Sequence, residues 1–362
     1  MGTRADRIRN AAAVITLTAL AAIATASLLP LARTNAWWVR FLDFPRWQFS
    51  VALIGLLLVV LLLARRTGWI QRAVILGAMA GLGHHGYELL PYSGLAEPAA
   101  SLEPDCAGGQ SLRIMSANVK RRNETAAPFL AQVAVVDPDL LLVMETDAWW
   151  DRQLTTLAAE YPHRVQNIPE DDAFYGMHFL SKHRLISPEF RFLFDADTPT
   201  LVTQIQLPDD RIIDIVGLHP RPPLPWSQPT TMRDAHLLSA ALIARRSETA
   251  TILTGDFNAV PWERVTRRAI RLGGLVDPRV GRGLHPTYDT DSLLMSWPLD
   301  HILFEPRLAL QEFRVLPDFG SDHRAVTATL CHRPGERRPA PGIHPDDLAE
   351  AEASMRAAAS LD

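Results

Sequence analysis

Apolar and polar positions divide this chain into an apolar N-terminal part and a patterned remainder. Residues 11–31 form an uncharged apolar run, long enough to cross a bilayer as a helix. A second run over 49–64 is rich in Val, Leu and Ile and lies near the short end for a span. A third, over 73–90, is interrupted by His84, His85 and Glu88. The pattern predicts a membrane anchor with three transmembrane helices over residues 1–90.

Trp37, Trp38 and Trp47 lie between the first two runs and suit a bilayer interface. Arg4, Arg7 and Arg9 precede the first run, and Arg65, Arg66 and Arg72 separate the second from the third. The loop between the first two holds Arg33, Arg40 and Arg46. The arginine excess on the first side predicts a cytoplasmic N-terminus, with everything after Leu90 outside the cytoplasm. The alternative is a cleaved signal peptide made from the first run; its length and the apolar runs that follow weigh against it. His84 and His85 read as an interfacial polar patch rather than an intramembrane metal or proton site.

Residues 91–110, rich in Pro, Ala, Gly and Ser, read as a linker. From 111 to 332, short β-rich runs alternate with helical periodicity. Strands are predicted at 112–118, 140–145, 176–182, 200–207, 211–218, 250–255, 300–304, 311–316 and 324–331. Helices are predicted at 124–136, 147–160, 229–246 and 261–272, with Asp147 and Pro261 as suitable start residues. The continuous apolar run from Leu140 to Met144 suggests a strand covered on both faces. Strands 200–207 and 211–218, joined around Pro208-Asp209-Asp210, form a predicted hairpin. Two packed mixed sheets flanked by helices satisfy this order. The tail, 333–362, is rich in Arg, Pro and Glu and reads as mostly disordered, with a short helix over 346–359.

At 362 residues the chain exceeds usual single-domain size, which fits one large domain plus an appendage. The formal net charge of -4 supplies no global basic field for nucleic acid and leaves only a local groove open. The two cysteines, Cys106 and Cys331, exclude a disulfide-rich scaffold and a multi-cysteine zinc site.

Polar motifs stand where predicted strands end or begin: Asn118, Glu145, His219, Gly255-Asp256-Phe257-Asn258, Asp300-His301 and Ser321-Asp322-His323. Each alone is as well read as a turn or cap. Together they suit a hard cation, a phosphate ester and an activated water. Phosphodiester hydrolysis needs charge neutralisation, a nucleophile and help for the leaving oxygen. Glu145 and Asp322 offer oxygen ligands of the kind that select magnesium or manganese over zinc. Asp300 or Asp322 can orient His323 as general base or transition-state stabiliser. Asp256 can hold the water and Asn258 can donate to the phosphoryl oxygen, with Asn118 and His219 as further donors.

In this order the motifs resemble the endonuclease/exonuclease/phosphatase superfamily, which includes pancreatic-type deoxyribonuclease, exonuclease III-like repair nucleases, neutral sphingomyelinases and inositol phosphatases. The likeness covers about 112–330. It rests most on Gly255-Asp256-Phe257-Asn258, Leu299-Asp300-His301-Ile302-Leu303 and Ser321-Asp322-His323. Asn118, Glu145, Tyr175-Gly176-Met177 leading into Leu180-Ser181-Lys182, and Gly217-Leu218-His219 fill the remaining positions. Three spans ahead of such a domain look like its bacterial membrane-anchored branch, which implies multi-pass residence in the inner membrane with the catalytic domain on the extracytoplasmic side.

The resemblance implies a four-layer α/β sandwich with its site on one rim. By family roles Glu145 binds the metal, Mg2+ or Mn2+, with Asp322 and Asn118. Asn118, Asn258 and His219 contact the phosphate. Asp256 positions or deprotonates the water, His219 can protonate the leaving group, and His323 pairs with Asp300. The family's first and last strands lie side by side and antiparallel, so Cys106 and Cys331 can bridge outside the cytoplasm, worth roughly 2–4 kcal/mol.

The loops leave the substrate open among lipid, nucleotide and nucleic acid. Arg221-Pro222-Pro223-Leu224-Pro225-Trp226 is stiff and can cover one side of the site. Arg279 and Arg282 either bind substrate phosphate or belong to a solvated loop. The bilayer is the other expected partner, and no protein partner is inferable. The expected activity is metal-dependent phosphoesterase. A non-catalytic binding or sensing protein on the same fold is the alternative. Few charged residues lie in the spans, which weighs against transport.

Overall fold

The structure, a computed structural model, describes residues 3–63, 68–106, 110–170, 175–222, 229–292, 294–332 and 339–361. Arg65, Arg66 and the stretch from Pro223 to Trp226 lie outside the described residues.

The chain starts with α1 (Arg4–Leu28), followed by a short helix α2 (Trp37–Arg40), then α3 (Arg46–Leu63) and α4 (Trp69–Leu89). Thr3 and Asp6 exchange side chain-to-backbone hydrogen bonds at the start of α1, which satisfies two otherwise orphaned amides. The long helices α1, α3 and α4 pack through Leu20, Ala24, Leu53, Leu57, Val60 and Ala78. Only α1 and α3 combine the length and hydropathy of a span among the described residues, where three were expected. The 21-residue α4 is long enough but too polar, since it carries Gln71, Arg72, His84, His85 and Glu88.

One end of this bundle rests on the rest of the protein. The Asn35 carbonyl accepts from the Thr230 amide at 2.9 Å, and the Asp43 carbonyl accepts from the Trp262 indole at 2.7 Å. Glu88, in the last turn of α4, pairs with Arg267 at 2.7 Å.

The remaining elements follow in order. They are β1 (Gln110–Asn118), α5 (Ala126–Val136), β2 (Leu140–Met144), α6 (Ala148–Leu154), β3 (His163–Asn167), β4 (Met177–Ser181), β5 (Arg184–Phe192) and β6 (Pro199–Gln206). Then come β7 (Ile212–Leu218), α7 (Thr231–Arg246), β8 (Ala250–Asp256), α8 (Arg264–Gly273), β9 (Asp300–Phe304), β10 (Leu308–Val315), β11 (Val326–His332) and α9 (Asp347–Ala359). One sheet has the order β10-β11-β1-β2-β4-β3 and the other β5-β6-β7-β8-β9. Each is mixed: β1 runs parallel to β2, and β7 parallel to β8, while the other pairs are antiparallel.

The inner faces meet in a core that includes Ile114, Leu142, Phe179, Ile215, Ile252 and Phe304. Helices α5 and α6 cover the outside of the first sheet through Phe129, Val133 and Trp150. Helices α7 and α8 cover the second through Leu237, Ala241, Val265 and Leu272. The result is an α/β sandwich of two mixed sheets between helices.

Two edge strands escaped the sequence reading. β5 contains Pro188 and Glu189, residue types depleted in strands, and tolerates them because it is an edge strand with a register shift between Ile186 and Glu189. β3 is short and polar at the opposite sheet's edge.

Residues 91–106, expected to be a linker, lie against the domain instead. The Glu103 amide donates to the Leu310 carbonyl and the Leu310 amide to the Ser101 carbonyl, both at 2.8 Å, and Ala100 enters the core. The short helix expected over 346–359 in the tail is α9. Asp347 draws it onto α8 by pairing with Arg268 at 3.2 Å and Arg271 at 2.7 Å. Cys106 and Cys331 form a disulfide with their Cα atoms 5.5 Å apart. It stands beside the β1–β11 pairing, where Ser111 faces Cys331.

Candidate functional site

Topology gathers the polar motifs. Asn118, Glu145, His219 and Asp256 lie at the C-terminal ends of β1, β2, β7 and β8. Because β9 is antiparallel to β8, its first residue, Asp300, faces Asp256 directly. Because β11 is antiparallel to β1, the segment entering it brings Ser321-Asp322-His323 to the same rim.

Backbone conformation at this rim is unusual. Glu145 and Asn258 adopt left-handed φ values of 61° and 50°, which non-glycine residues reach at a cost. At Gly255, with φ of 142°, a Cβ would stand 1.9 Å from the Leu218 carbonyl oxygen, so only glycine lets β8 approach the residue before His219. A Cβ on Gly176 would meet the Thr146 carbonyl at 1.5 Å, immediately after Glu145.

Asn118 bridges two carboxylates. Its Nδ2 donates to Glu145 Oε1 at 2.8 Å and to Asp256 Oδ2 at 3.1 Å. Its Oδ1 accepts from the Lys120 amide at 2.9 Å. Asn118 thereby braces the two carboxylates, and its Oδ1 keeps a second lone pair beyond the Lys120 hydrogen bond. Glu145 Oε2 accepts from the Arg121 amide at 2.8 Å. Burial raises the Glu145 carboxyl above its usual range, against the pull of the Arg121 and Asn118 hydrogen bonds. Asp322, further out, pairs with Lys120 at 3.5 Å.

Asp256 is buried, with its Oδ1 accepting from the Asn258 amide at 2.9 Å. Its Oδ2 stands 3.6 Å from Nε2 of both His219 and His323. Burial, with the nearby Asp300 charge, raises its pKa, although both histidines oppose the shift. His323 Nδ1 is 2.8 Å from Asp300 Oδ2. Burial disfavours charge on His323, but Asp300 and then Asp256 override it and push the imidazole up to about 10. His219, lowered chiefly by burial, is the neutral histidine of the pair. Its Nε2 is also 3.8 Å from Glu145 Oε1.

Asn258 spends one of its two side-chain donors on the backbone. Its Nδ2 donates to the Pro220 carbonyl at 3.0 Å, tying the loop after His219 to the loop after Asp256. Arg279 is buried, bonded to Asp277 at 2.8 Å and to His301, while Arg282 donates to the Pro278 and Ala100 carbonyls. Neither behaves as a free phosphate hook.

Two neighbours escaped the sequence reading. The Tyr288 ring lies 4.8 Å from His323, and nothing in its loop sequence marks it. Arg233 donates to the Asn258 carbonyl at 2.9 Å from α7, where an arginine beside an aspartate reads as an ordinary helix surface. Tyr175, 5.8 Å from His219, closes the other side.

The site fits a divalent cation by its donor chemistry. Asp256, Asp300 and His323 offer ligand atoms within 4.8 Å of one another. Asp300 Oδ1 and His219 Nδ1 are buried with no hydrogen-bond partner among the described residues. Buried carboxylates in this density call for a positive counterpart.

A family model for the Endonuclease/Exonuclease/phosphatase family matches residues 115–323. No curated protein matches the sequence significantly. Among solved structures, the chain is similar to a humanized D. rerio TDP2 at 17% identity, covering 61% of this chain and 98% of that one with a TM-score of 0.52. D. rerio TDP2 complexed with single strand DNA product gives 17% identity and the same TM-score of 0.52, covering 61% and 99%. A family protein from Bacteroides thetaiotaomicron shares 16% identity over 64% of this chain and 98% of that one, with a TM-score of 0.48. Members of the matched family are metal-dependent enzymes that act on phosphate esters. With its motifs converging on one sandwich rim, this chain belongs to the endonuclease/exonuclease/phosphatase family.

Proposed function

We propose that this protein is a membrane-anchored phosphoesterase that hydrolyses a phosphodiester with the help of magnesium or manganese. The carrying observation is that Glu145, Asp256, His219 and the Asp300–His323 pair share one buried rim. A protein that only binds a ligand has no need of a carboxylate–imidazolium pair aimed at a second, protonatable carboxylate.

Glu145 and Asp322 are the ligands we favour for the ion. They are near enough that the Asp322 charge adds to the rise in Glu145 pKa. The trio Asp256, Asp300 and His323 already holds its own positive charge on the imidazolium. When bound, the ion supplies charge neutralisation at the phosphoryl group and the leaving oxygen.

The protein's groups divide the remaining work. Asp256, with its raised pKa and an orientation fixed by the Asn258 amide, holds the water and takes its proton. The His323 imidazolium, steered by Asp300, stabilises negative charge on the phosphoryl oxygens. His219 donates a hydrogen bond to the ester. These buried groups titrate as a unit, so a single macroscopic pKa does not belong to one of them.

For location, α1 and α3 would cross the bilayer, α4, packed on both, would bring the chain back across beside them, and the residues joining α1 to α3 carry the contacts to the catalytic half. That half then lies across the membrane from the N-terminus, on the extracytoplasmic side of a bacterial inner membrane. The Cys106–Cys331 disulfide suits an oxidising compartment.

The test is hydrolysis of bis-p-nitrophenyl phosphate by the purified full chain with magnesium, manganese or EDTA. We expect metal-dependent turnover that falls by roughly 10²-fold or more in Asp256→Asn and in His323→Ala. Equal rates in all three proteins would reject the assignment.

A further inference from the structure

The geometry points to a lipid-borne substrate: a phosphodiester in the headgroup of a membrane lipid, drawn from the leaflet in which α3 begins. This inference rests on the phosphoesterase reading above and adds the substrate class.

The site is connected to the anchor by a short run of aromatic contacts. The Tyr288 ring, beside His323, stands 6.4 Å from Trp297. Trp297 in turn packs edge-on against Phe41 at 5.7 Å and Phe44 at 5.6 Å, both between α1 and α3. Tyr288 and Trp297 also pair through their backbones, the Tyr288 amide donating at 2.9 Å, which makes the intervening segment a narrow projection.

One root of that projection is fixed to the site. The Thr290 amide donates to the Asp322 carbonyl at 3.0 Å, and its hydroxyl donates to the Ser321 carbonyl at 2.8 Å. The tip is fixed to the anchor: Gln48 Nε2 donates to the Leu294 carbonyl at 2.6 Å. Leu294 is four positions beyond Thr290, at about 3.3–3.6 Å each, so the tip lies within about 14 Å of the site's edge.

Gln48 belongs to the first turn of α3, whose 18 residues span roughly 27 Å, close to a bilayer's hydrocarbon thickness. A helix of that length cannot sink its first turn without exposing its last. If α3 crosses, Gln48 marks the boundary and Leu294 sits at it. There the chain presents Leu294, 67% exposed, and Met295, 44% exposed. A single exposed apolar residue needs no explanation. Two neighbours at a tip bonded to a span's first turn suit acyl-chain contact, with the ester a headgroup's reach from Asp322. The net charge of -4 adds no drive toward a polyanion such as nucleic acid.

The test uses the full chain in phospholipid vesicles with magnesium. One arm is a phospholipid bearing a fluorogenic headgroup in the same bilayer. The second is the same headgroup on a water-soluble short-chain backbone, and the third is bis-p-nitrophenyl phosphate. We expect Leu294→Glu and Met295→Glu, singly and together, to lose at least tenfold on the bilayer lipid while staying within twofold on bis-p-nitrophenyl phosphate. A nitroxide on Leu294→Cys should relax with oxygen rather than with a water-soluble nickel chelate. Equal losses in all arms, no loss on the bilayer lipid, or a wild-type enzyme that prefers the short-chain ester would overturn the lipid assignment alone. No turnover in any arm would overturn the phosphoesterase reading, and this inference with it.

Discussion

Arg40, from the segment joining α1 to α3, and Glu263, just ahead of α8, form a fully buried ion pair. The same Arg40 pairs with Asp234 at 2.7 Å, and Glu263 also accepts from Arg233 at 2.5 Å. Arg233 holds the carbonyl of Asn258, two residues beyond Asp256. An arginine between α1 and α3 is thus one carboxylate and one guanidinium away from the loop that follows Asp256.

Arg40→Ala removes one of the two guanidinium groups that Asp234 and Glu263 share and leaves them both on Arg233. Breaking a buried pair from one side costs about 3–5 kcal/mol. Thermal melting of the full chain in detergent should register that loss, with turnover falling more than KM rises. Arg40→Ala combined with Glu263→Gln should recover part of it. A variant that melts and turns over like wild type would remove Arg40 from any supporting role.

The Asp300–His323 pair sets a pH signature. Its folded-state pKa, about 10, is above the ordinary histidine value, so its contribution to stability is complete below about pH 6.5 and is lost as pH rises through about 10. In EDTA, wild type should melt above Asp300→Asn by the widest margin near pH 6, and the two should converge toward pH 10. A gap that widens with pH would contradict the imidazolium.

Glu145→Gln keeps the shape of the side chain and removes its charge. Manganese affinity, measured by calorimetry on the full chain, should fall at least ~10-fold, a typical scale for disturbing a metal site. Unchanged affinity would move the ion to Asp256 and its neighbours.

Asp347 governs the docking of α9 above about pH 4. Although burial opposes it, Arg271, the His344 amide and Arg268 hold its carboxyl below the usual range. Its stabilisation is therefore present above about pH 4 and is lost as pH falls below that. Asp347→Asn should loosen α9 at neutral pH, read as faster amide exchange over its 13 residues. At acid pH the two proteins should exchange alike. Equal exchange at neutral pH would show that apolar contacts alone, such as Ala351, seat the helix.

Much of the rim was legible in sequence because each motif ends or begins a strand, and strand ends in a sandwich have few places to go. The strand that carries Asp256 could be anticipated in this way, whereas the residues alone left Asp300 and Asp322 both open as partners of His323, and the family resemblance chose Asp300. Direction within the rim was not legible. Asn118 and Asn258 were expected to face a ligand, and the protein partners that their amides also hold, Glu145, Asp256 and Pro220, could not be read. Short-range sequence carries no information on which of several acceptors an amide selects. The Arg40–Glu263 pair was equally hidden, since its partners are 223 positions apart and each reads as a surface charge. α4 was misjudged for another reason: an apolar count ignores where His84, His85 and Glu88 fall along a helix that also meets the catalytic half.

The bridge between Cys106 and Cys331 makes the catalytic half a covalent ring, with the anchor leaving on one side and α9 on the other. A protease that nicks an exposed loop inside the ring, around Asp209 for example, would separate no fragment from the membrane until a reductant opened it. On the proposed membrane topology, release of the whole sandwich would thus need a cut ahead of Cys106, where the backbone is held by Leu310 and Gly281.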